Sequence, residues 1–406
     1  MTTCIVMGSQ WGDEGKGKVV DLLARGADVV VRFQGGANAG HTIWHGQRKV
    51  VLHQLPSGVL TPGCLNLVGN GSVVDPERLV EELAELAAIG VRPGPDALAV
   101  SSLAHLVTPI HKWVDGLAGG HIGTTGRGIG FAYADKARRV GVRAGALLDG
   151  TLATAIAQQL EQHQPWLDAH DPGAGPELLR RIELFTRACD QLRPFVRDIR
   201  PELHDALQAG SNVLYEGAQG ALLDLDHGTY PFVTSSSTAI GGALTGTGVY
   251  TPFEHRFAVV KAYTTRVGNG PFPTELHGPI GEDLRARGHE YGATTGRPRR
   301  CGWLDLHLLR EAARTSGYSG IALTKLDCLS GLPELRVATG RDADGQPVYA
   351  TLPGWSEDIL GAPSLEALPA NARAYLDFIT EQLGVPISIL STGPDRDQTL
   401  VLEAPW

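Results

Sequence analysis

Lysine, paired cysteine and long apolar runs are scarce in this 406-residue chain, and each scarcity closes off a class of protein. Lys16, Lys18, Lys49, Lys112, Lys136, Lys261 and Lys325 are the only lysines among 35 basic residues. Arginine therefore meets the ordinary demand for surface cations, a bias that a GC-rich genome imposes. A lysine kept in a glycine-rich or acid-flanked segment is then expected where a compact ammonium is needed. The five cysteines (Cys4, Cys64, Cys189, Cys301, Cys328) are odd in number, scattered and never spaced C-x-x-C. That pattern fits reduced thiols rather than a disulfide framework or a zinc site. No apolar stretch is long enough to span a bilayer, and the strand-like run Thr3–Met7 follows no basic, apolar leader. A soluble, cytoplasmic protein is expected. A net charge of −9 excludes a protein that coats nucleic acid through charge alone. With 42% hydrophobic and 19% charged residues, wholesale disorder is excluded too.

What is present reads as alternating strand and helix. Cys4–Met7 is a short strand, and from about Gly17 the segment KVVDLLARG has helical apolar spacing until Gly26 stops it. Asp28–Phe33 is a second buried strand, and Pro76–Ile89 an amphipathic helix. A long helical tract covers Thr151–Gln164 and Pro176–Gly210, with Ala169–Gly175 as a break between helices. Strands follow at Asn212–Tyr215, Arg256–Ala262, Gly320–Leu323 and Ile387–Leu390, and helices at Leu304–Thr315 and Leu365–Leu383. The expected fold class is α/β: a large, mostly parallel central sheet flanked by helices, opening on a P-loop-like strand–loop–helix. One domain is expected over 1–406, with long functional loops and a helical insertion at roughly 151–210.

The most informative segment is Gly8–Lys18, GSQWGDEGKGK. An ordinary phosphate loop, G-x-x-x-x-G-K-[ST], cradles phosphates with backbone N–H groups and holds Mg²⁺ through a hydroxyl. Here Gly15 and Lys16 supply the second half, Gln10 takes the first glycine's slot, and Gly17 replaces the hydroxyl residue. Two acids, Asp13 and Glu14, sit inside the loop, where phosphate would repel them. A carboxylate in such a cradle needs either a metal ion to neutralise it or a proton to abstract.

Four further loops combine glycine, threonine and charge: Gln34–Thr42, Gly123–Arg139, Gly217–Gly248 and Tyr291–Gly302. Such loops offer N–H groups, hydroxyls and guanidinium forks to anionic ligands, and long ordered loops usually carry function. Ile321–Leu329, IALTKLDCL, ends an apolar strand in Thr324-Lys325-Leu326-Asp327, like the [NT]-K-x-D element that reads guanine. Asp327 can accept from both N1–H and N2–H₂ of guanine, a donor pair that adenine lacks. The Lys325 stem can lie over the purine, and the loop Leu390–Pro394 can close over base or ribose. An aspartate after a strand also serves as an ordinary cap, so the motif gains its weight from the phosphate loop.

Together these segments resemble the adenylosuccinate synthetase family, which joins IMP to aspartate using GTP. The matching stretches are WGDEGKGK (Trp11–Lys18), QGGANAGHT (Gln34–Thr42), IGTTGRGIG (Ile122–Gly130), YEGAQGALLDLDHGTYPFVTSSST (Tyr215–Thr238), RVGNGPFPTEL (Arg266–Leu276), GATTGRPRRCGWLD (Gly292–Asp305), LTKLD (Leu323–Asp327) and STGPDRDQT (Ser391–Thr399). They run in family order along nearly the whole chain.

The resemblance implies roles, residue by residue. Asp13 would take the N1 proton of IMP, and the O6 oxyanion would attack the γ-phosphoryl of GTP. His41 would act as general acid, Lys16 would neutralise the phosphoryl in transit, and Gln219 completes the catalytic set. Mg²⁺ would sit between Asp13 and the Gly40 carbonyl. IMP would be held by Asp13, Glu14, Gly15, Lys16, Asn38, Ala39, Gly40, His41, Thr125, Gln219, Thr234 and Arg297, and by Arg139 from the other subunit of a homodimer. GTP would contact Gly12, Asp13, Glu14, Gly15, Lys16, Gly17, Lys18, Gly40, His41, Thr42 and Arg299. Its guanine would lie against Lys325, Leu326, Asp327, Ser391, Thr392 and Gly393. Thr294, Thr295, Gly296, Arg297, Pro298, Arg299 and Arg300 would clamp the two carboxylates of aspartate.

Glu14 and Lys18 also suit a surface pair at a helix start, and the roles of Trp11, Lys49, His53 and His227 are open. Phe131 stands where the family usually has proline, and the chain is trimmed near Val91–Gly120 and Gly340–Gly354. A phage-type homologue acting on a guanylate-type nucleotide would lack the Asp13-type base. A catalytically divergent guanine-nucleotide-binding or switch protein of this fold would have no use for the TTGRPRR clamp or the His41 loop.

Overall fold

The structure, a computed structural model, describes residues 2–45, 48–118, 126–292 and 296–406. Its framework is a ten-stranded sheet, ordered Thr399–Val401, Ile387–Ser391, Gly320–Thr324, His255–Lys261, Thr2–Gly8, Asn212–Glu216, Val29–Arg32, Leu65–Val68, Leu98–Ser101 and Val196–Arg197. All neighbouring pairs are parallel except the first, which is antiparallel. Parallel strands covered on both faces need near-continuous apolar runs, and TTCIVMG, VVVR and GIALT meet that need with almost every residue buried. In such sheets ligands bind beyond the carboxyl ends of the strands. The loop at Gly8 leaves the carboxyl end of a strand in the middle of this sheet.

The expected α/β class is borne out, as are the first strand–loop–helix, the Asn212, His255, Gly320 and Ile387 strands, and the Pro76–Ala87 helix. Other elements differ. The helix expected to stop at Gln164 runs from Leu152 to His170 through Pro165, because Leu167 beyond the proline is buried in an apolar cluster. The tract expected as helix over Pro176–Gly210 is two helices, Gly175–Leu192 and Arg200–Gln208, separated by the short strand Val196–Arg197 on the sheet edge. Pro194 lies in the turn between them and cannot continue the helical hydrogen bonding.

Two of the expected long loops also contain helices, Ile129–Arg138 and Ile240–Thr247. Their glycines read as loop, yet in the second helix Gly242 and Gly246 serve packing: a Cβ on Gly246 would lie 2.2 Å from the Phe33 carbonyl oxygen. The Gln34–Thr42 loop ends earlier than expected, since His41 opens the antiparallel hairpin His41–His45 and Arg48–Leu52.

The candidate active site

The Gly8–Lys16 loop is built around its buried acid. Glu14 is fully buried, and one carboxylate oxygen accepts the N–H groups of Gln10 at 3.0 Å and Gly12 at 2.9 Å. The other takes the Lys16 ammonium at 2.5 Å, while the Glu14 carbonyl accepts from the Thr324 hydroxyl at 2.6 Å. Glu14 therefore braces the loop from beneath and is not a surface partner at the helix start. Gly12, Asp13 and Gly15 all have positive φ, which turns the Asp13 side chain outward with 39% exposure. A Cβ on Gly8 would come within 2.3 Å of the Gln219 carbonyl oxygen and 2.7 Å of Lys16 Nζ, so only glycine allows the two loops to meet. Lys16 begins the Lys16–Ala24 helix, which lacks a capping side chain, and its first N–H groups suit an anion.

Asp13 faces a chain of alternating charges. Arg299 Nε donates to Asp13 Oδ2 at 2.8 Å, and Arg299 Nη1 donates to Glu290 Oε2 at 2.8 Å. Glu290 Oε1 accepts from Lys261 Nζ at 2.7 Å and from the Tyr263 hydroxyl at 2.6 Å. Burial opposes the charge on Glu290, but Lys261 and Arg299 outweigh it and hold the carboxyl down to about 2. Sequence reading missed Glu290 and gave Lys261 no role.

His41 has a buried partner, Glu216, that sequence reading left without a role. Its Nδ1 lies 2.5 Å from Glu216 Oε1, and Ser57 donates its N–H to Glu216 Oε2 at 2.7 Å. Burial pushes His41 below the ordinary imidazole range against the pull of Glu216. Burial opposes the charge on Glu216 as well, yet His41, Arg32 and the Ser57 N–H keep it below the usual carboxylate range. The ionised carboxylate thus fixes the His41 proton on Nδ1 and leaves Nε2 as the ring's second nitrogen. Arg32, Glu216 and Lys261 each close a sheet strand at its carboxyl end, and all three are buried.

The remaining residues fall into three groups. Gln219 donates to Asn38 Oδ1 at 3.4 Å, and Gln34 donates to the Ala218 carbonyl at 2.6 Å, which joins the Gln34–Thr42 and Gly217–Gly220 segments. In the turn expected to read the base, Lys325 has φ 64° and donates to the Gly288 carbonyl at 2.8 Å. Half-buried Asp327 follows in the Leu326–Leu329 turn, and burial pushes its carboxyl up despite the nearby Lys325 and Lys18. Ser391, Thr392 and Gly393 leave the next strand of the sheet.

The third group is only partly assembled. Thr234 is half-buried, while Gly296, Arg297 and Pro298 are exposed. Arg300 is held by Glu275 at 2.8 Å and by the Gly270 carbonyl at 2.9 Å, commitments that the expected clamp did not foresee. Thr125, Thr294 and Thr295 lie outside the described residues. Arg139 is exposed at the end of the Ile129–Arg138 helix with φ 67°. Among the described residues five non-glycines have positive φ, and Asp13, Arg139, Gln219 and Lys325 are four of them. Backbone held in that costly region concentrates where function fixes a side chain's direction.

One buried group apart from these residues has metal-ligand residue types: His111, Asp135 and His163. Asp135 Oδ2 accepts from His111 at 3.1 Å, His163 at 2.9 Å and Gln159 at 3.0 Å. These bonds tie together the three helices that carry the residues, including the one that ends at Arg139.

A loop of phosphate-binding type, an outward acid, a carboxylate-oriented histidine and a turn of guanine-reading type at the carboxyl ends of parallel strands are features of nucleotide-dependent α/β enzymes. The family model for adenylosuccinate synthetase matches residues 5–400. The chain is 51% identical to the adenylosuccinate synthetase of Moorella thermoacetica, with all of both chains covered. It is 48% identical to that of Chromohalobacter salexigens, covering 99% of this chain and 98% of the relative. A solved structure of fully ligated adenylosuccinate synthetase from Plasmodium falciparum matches with TM-score 0.91 at 37% identity, covering 99% of this chain and 100% of that one. The succinoaminodeoxyadenylate synthetase of cyanophage S-2L, at TM-score 0.65 and 20% identity, bears on the fold alone. The chain belongs to the adenylosuccinate synthetase family. Among its described residues no helix is long and apolar enough to cross a membrane.

Proposed function

We propose that this enzyme joins IMP and L-aspartate into adenylosuccinate with GTP as energy source, releasing GDP and phosphate. The observation that carries the mechanism is the division of labour between two neighbouring acids. Glu14 is buried as a brace, while Asp13 is turned out at φ 60° with its carboxylate exposed.

Asp13 removes the N1 proton of IMP, so that O6 carries the charge and forms a bond to the γ-phosphorus as its bond to the β-bridging oxygen breaks. His41, oriented by Glu216 through Nδ1, acts as general acid in its imidazolium form and gives its Nε2 proton to the phosphoryl oxygens. Lys16 and the helix start behind it offset charge on the phosphoryl group, and Gln219 fixes the purine edge beside Asn38. The aspartate amine then attacks C6, the C6–O bond breaks, and phosphate leaves with the oxygen that was O6. Arg299 and Arg297 supply guanidinium forks for the dicarboxylate.

The exposed Asp13 carboxylate and the Gly40 carbonyl are hard oxygen donors of the kind Mg²⁺ takes, and Mg²⁺ held there would neutralise phosphate charge. Exposed Arg139 suits a contact across a homodimer to the IMP phosphate of the neighbouring subunit. IMP labelled with ¹⁸O at O6 tests the route. The label is expected in inorganic phosphate, and phosphate free of label while adenylosuccinate forms would refute the 6-phosphoryl intermediate.

A further inference from the structure

Lys18 stands two residues beyond Lys16, whose ammonium is taken by Glu14, yet its own ammonium reaches the loop expected at the guanine end of the site. Lys18 Nζ donates to the Ser391 hydroxyl at 2.7 Å, to the Gly393 carbonyl at 2.7 Å and to the Gln398 carbonyl at 3.2 Å. These three acceptors span both sides of the loop that leaves the Ile387–Ser391 strand and returns as Thr399–Val401. A second tie runs the other way, because Arg396 Nε of the same loop donates to Asp21 Oδ2 at 2.7 Å. Lys18 and Asp21 are three apart on one helix and so share a face. Gln398 in turn packs against Gly393, where a Cβ would lie 2.3 Å from Gln398 Oε1. The loop is thus shaped by the helix that follows the phosphate loop as well as by its own strands.

We infer that Lys18 is a specificity-determining positioning residue: its ammonium fixes the Ser391–Gln398 loop against the Lys16–Ala24 helix and so sets the guanine pocket's discrimination. It acts through the loop and is not a phosphate ligand. Three carbonyl or hydroxyl acceptors at one ammonium use all three of its donors, which leaves none for a phosphate. Charge surrounds it from the turn opposite, through Asp327 and Lys325, and from the loop itself through Asp395. The ammonium is therefore bonded to the loop and lies within electrostatic reach of the Asp327 turn.

The inference rests on the guanine-nucleotide reading of the site, and the test separates the two. Initial rates are measured for the full-length wild type, Lys18→Met and Lys18→Arg with GTP, ITP and ATP varied at saturating IMP and aspartate, and with IMP or aspartate varied at saturating GTP. ITP lacks only the 2-amino group of GTP. In Lys18→Met, KM for GTP is expected to rise roughly 10- to 100-fold, the size of effect that a misplaced binding element produces. The preference for GTP over ITP should shrink towards unity, while KM for IMP and aspartate stays within about twofold. Lys18→Arg, which keeps a charged donor, should recover part of the preference. Undiminished GTP-over-ITP preference in Lys18→Met would overturn the inference, as would an equal loss of kcat with every substrate parameter. Absence of any GTP preference in the wild type would instead overturn the underlying guanine reading.

Discussion

Glu216→Gln isolates what orients the proposed acid. In the structure one carboxylate oxygen takes His41 Nδ1 at 2.5 Å and the other takes the Ser57 N–H at 2.7 Å. A glutamine offers one acceptor oxygen and one donor amide. If its oxygen faces His41, its NH₂ group opposes the Ser57 N–H. A charge-assisted hydrogen bond is worth about 1.5–3 kcal/mol, against about 0.5–1.5 for a neutral one. The imidazolium formed at His41 therefore loses roughly 1–2 kcal/mol of support, a 5- to 30-fold fall in kcat by the relation between barrier and rate. The unpaired buried amide costs about 1–3 kcal/mol of stability. A chemical step that needs His41 protonated slows as pH rises through its pKa. Removing the neighbouring negative charge lowers that pKa, so the alkaline limb of kcat should begin at lower pH in Glu216→Gln. Single-turnover rates across pH, with thermal melts as the folding control, read both effects. An unchanged alkaline limb in a folded Glu216→Gln protein would refute the orienting role.

Three further outcomes follow from neighbouring groups. Glu290 is held down to about 2 from an ordinary 4.5, so its ion pairs add stability that is present above about pH 4.5 and lost as pH falls towards 2. That contribution is about 3 kcal/mol, and acid denaturation followed by circular dichroism should show a flatter loss in Glu290→Gln over the same window. Asp327→Asn exchanges a charged double acceptor for a neutral single one and should raise KM for GTP roughly 100-fold while sparing KM for IMP, measured by initial rates. Arg139→Leu should raise KM for IMP about 10-fold or more without altering KM for GTP; mixing it with an Asp13→Ala protein and recovering activity would mark a contact made across subunits.

How much of this was legible in the sequence depended on where each residue sits. The loop could be read as phosphate-binding because glycine spacing and two misplaced acids are local signals. Spacing alone did not separate Asp13 from Glu14; the family resemblance singled out Asp13, but the burial of Glu14 was missed, since it is set by Thr324, distant in the chain, and by the backbone turn. The scarcity of lysine proved informative. Lys16, Lys18, Lys112, Lys136, Lys261 and Lys325 each hold a hydrogen-bonded position, whereas Lys49 is exposed on its strand. Arg32, Glu216 and Lys261 were passed over because they lie within strand-like runs, VVVRF, VLYEG and AVVKA. A signal existed: a charge that closes an apolar strand points at the carboxyl edge of the sheet, where sites of this class form. The helices at Ile129–Arg138 and Ile240–Thr247 were hidden by their glycines: Gly126 and Gly128 turn the chain before the first, and Gly242 and Gly246 serve close packing in the second.

In the proposed reaction Asp13 activates IMP for phosphorylation while its neighbour Glu14 only braces the loop. The direct measurement is the ultraviolet absorbance change of purified protein with IMP, aspartate, Mg²⁺ and GTP, comparing wild type with Asp13→Asn. Asparagine keeps the size of the side chain but cannot take a proton. Adenylosuccinate should form with the wild type and slow by roughly 100-fold or more in Asp13→Asn, the range that a lost general base commands. An Asp13→Asn enzyme that turns over at the wild-type rate would contradict the account.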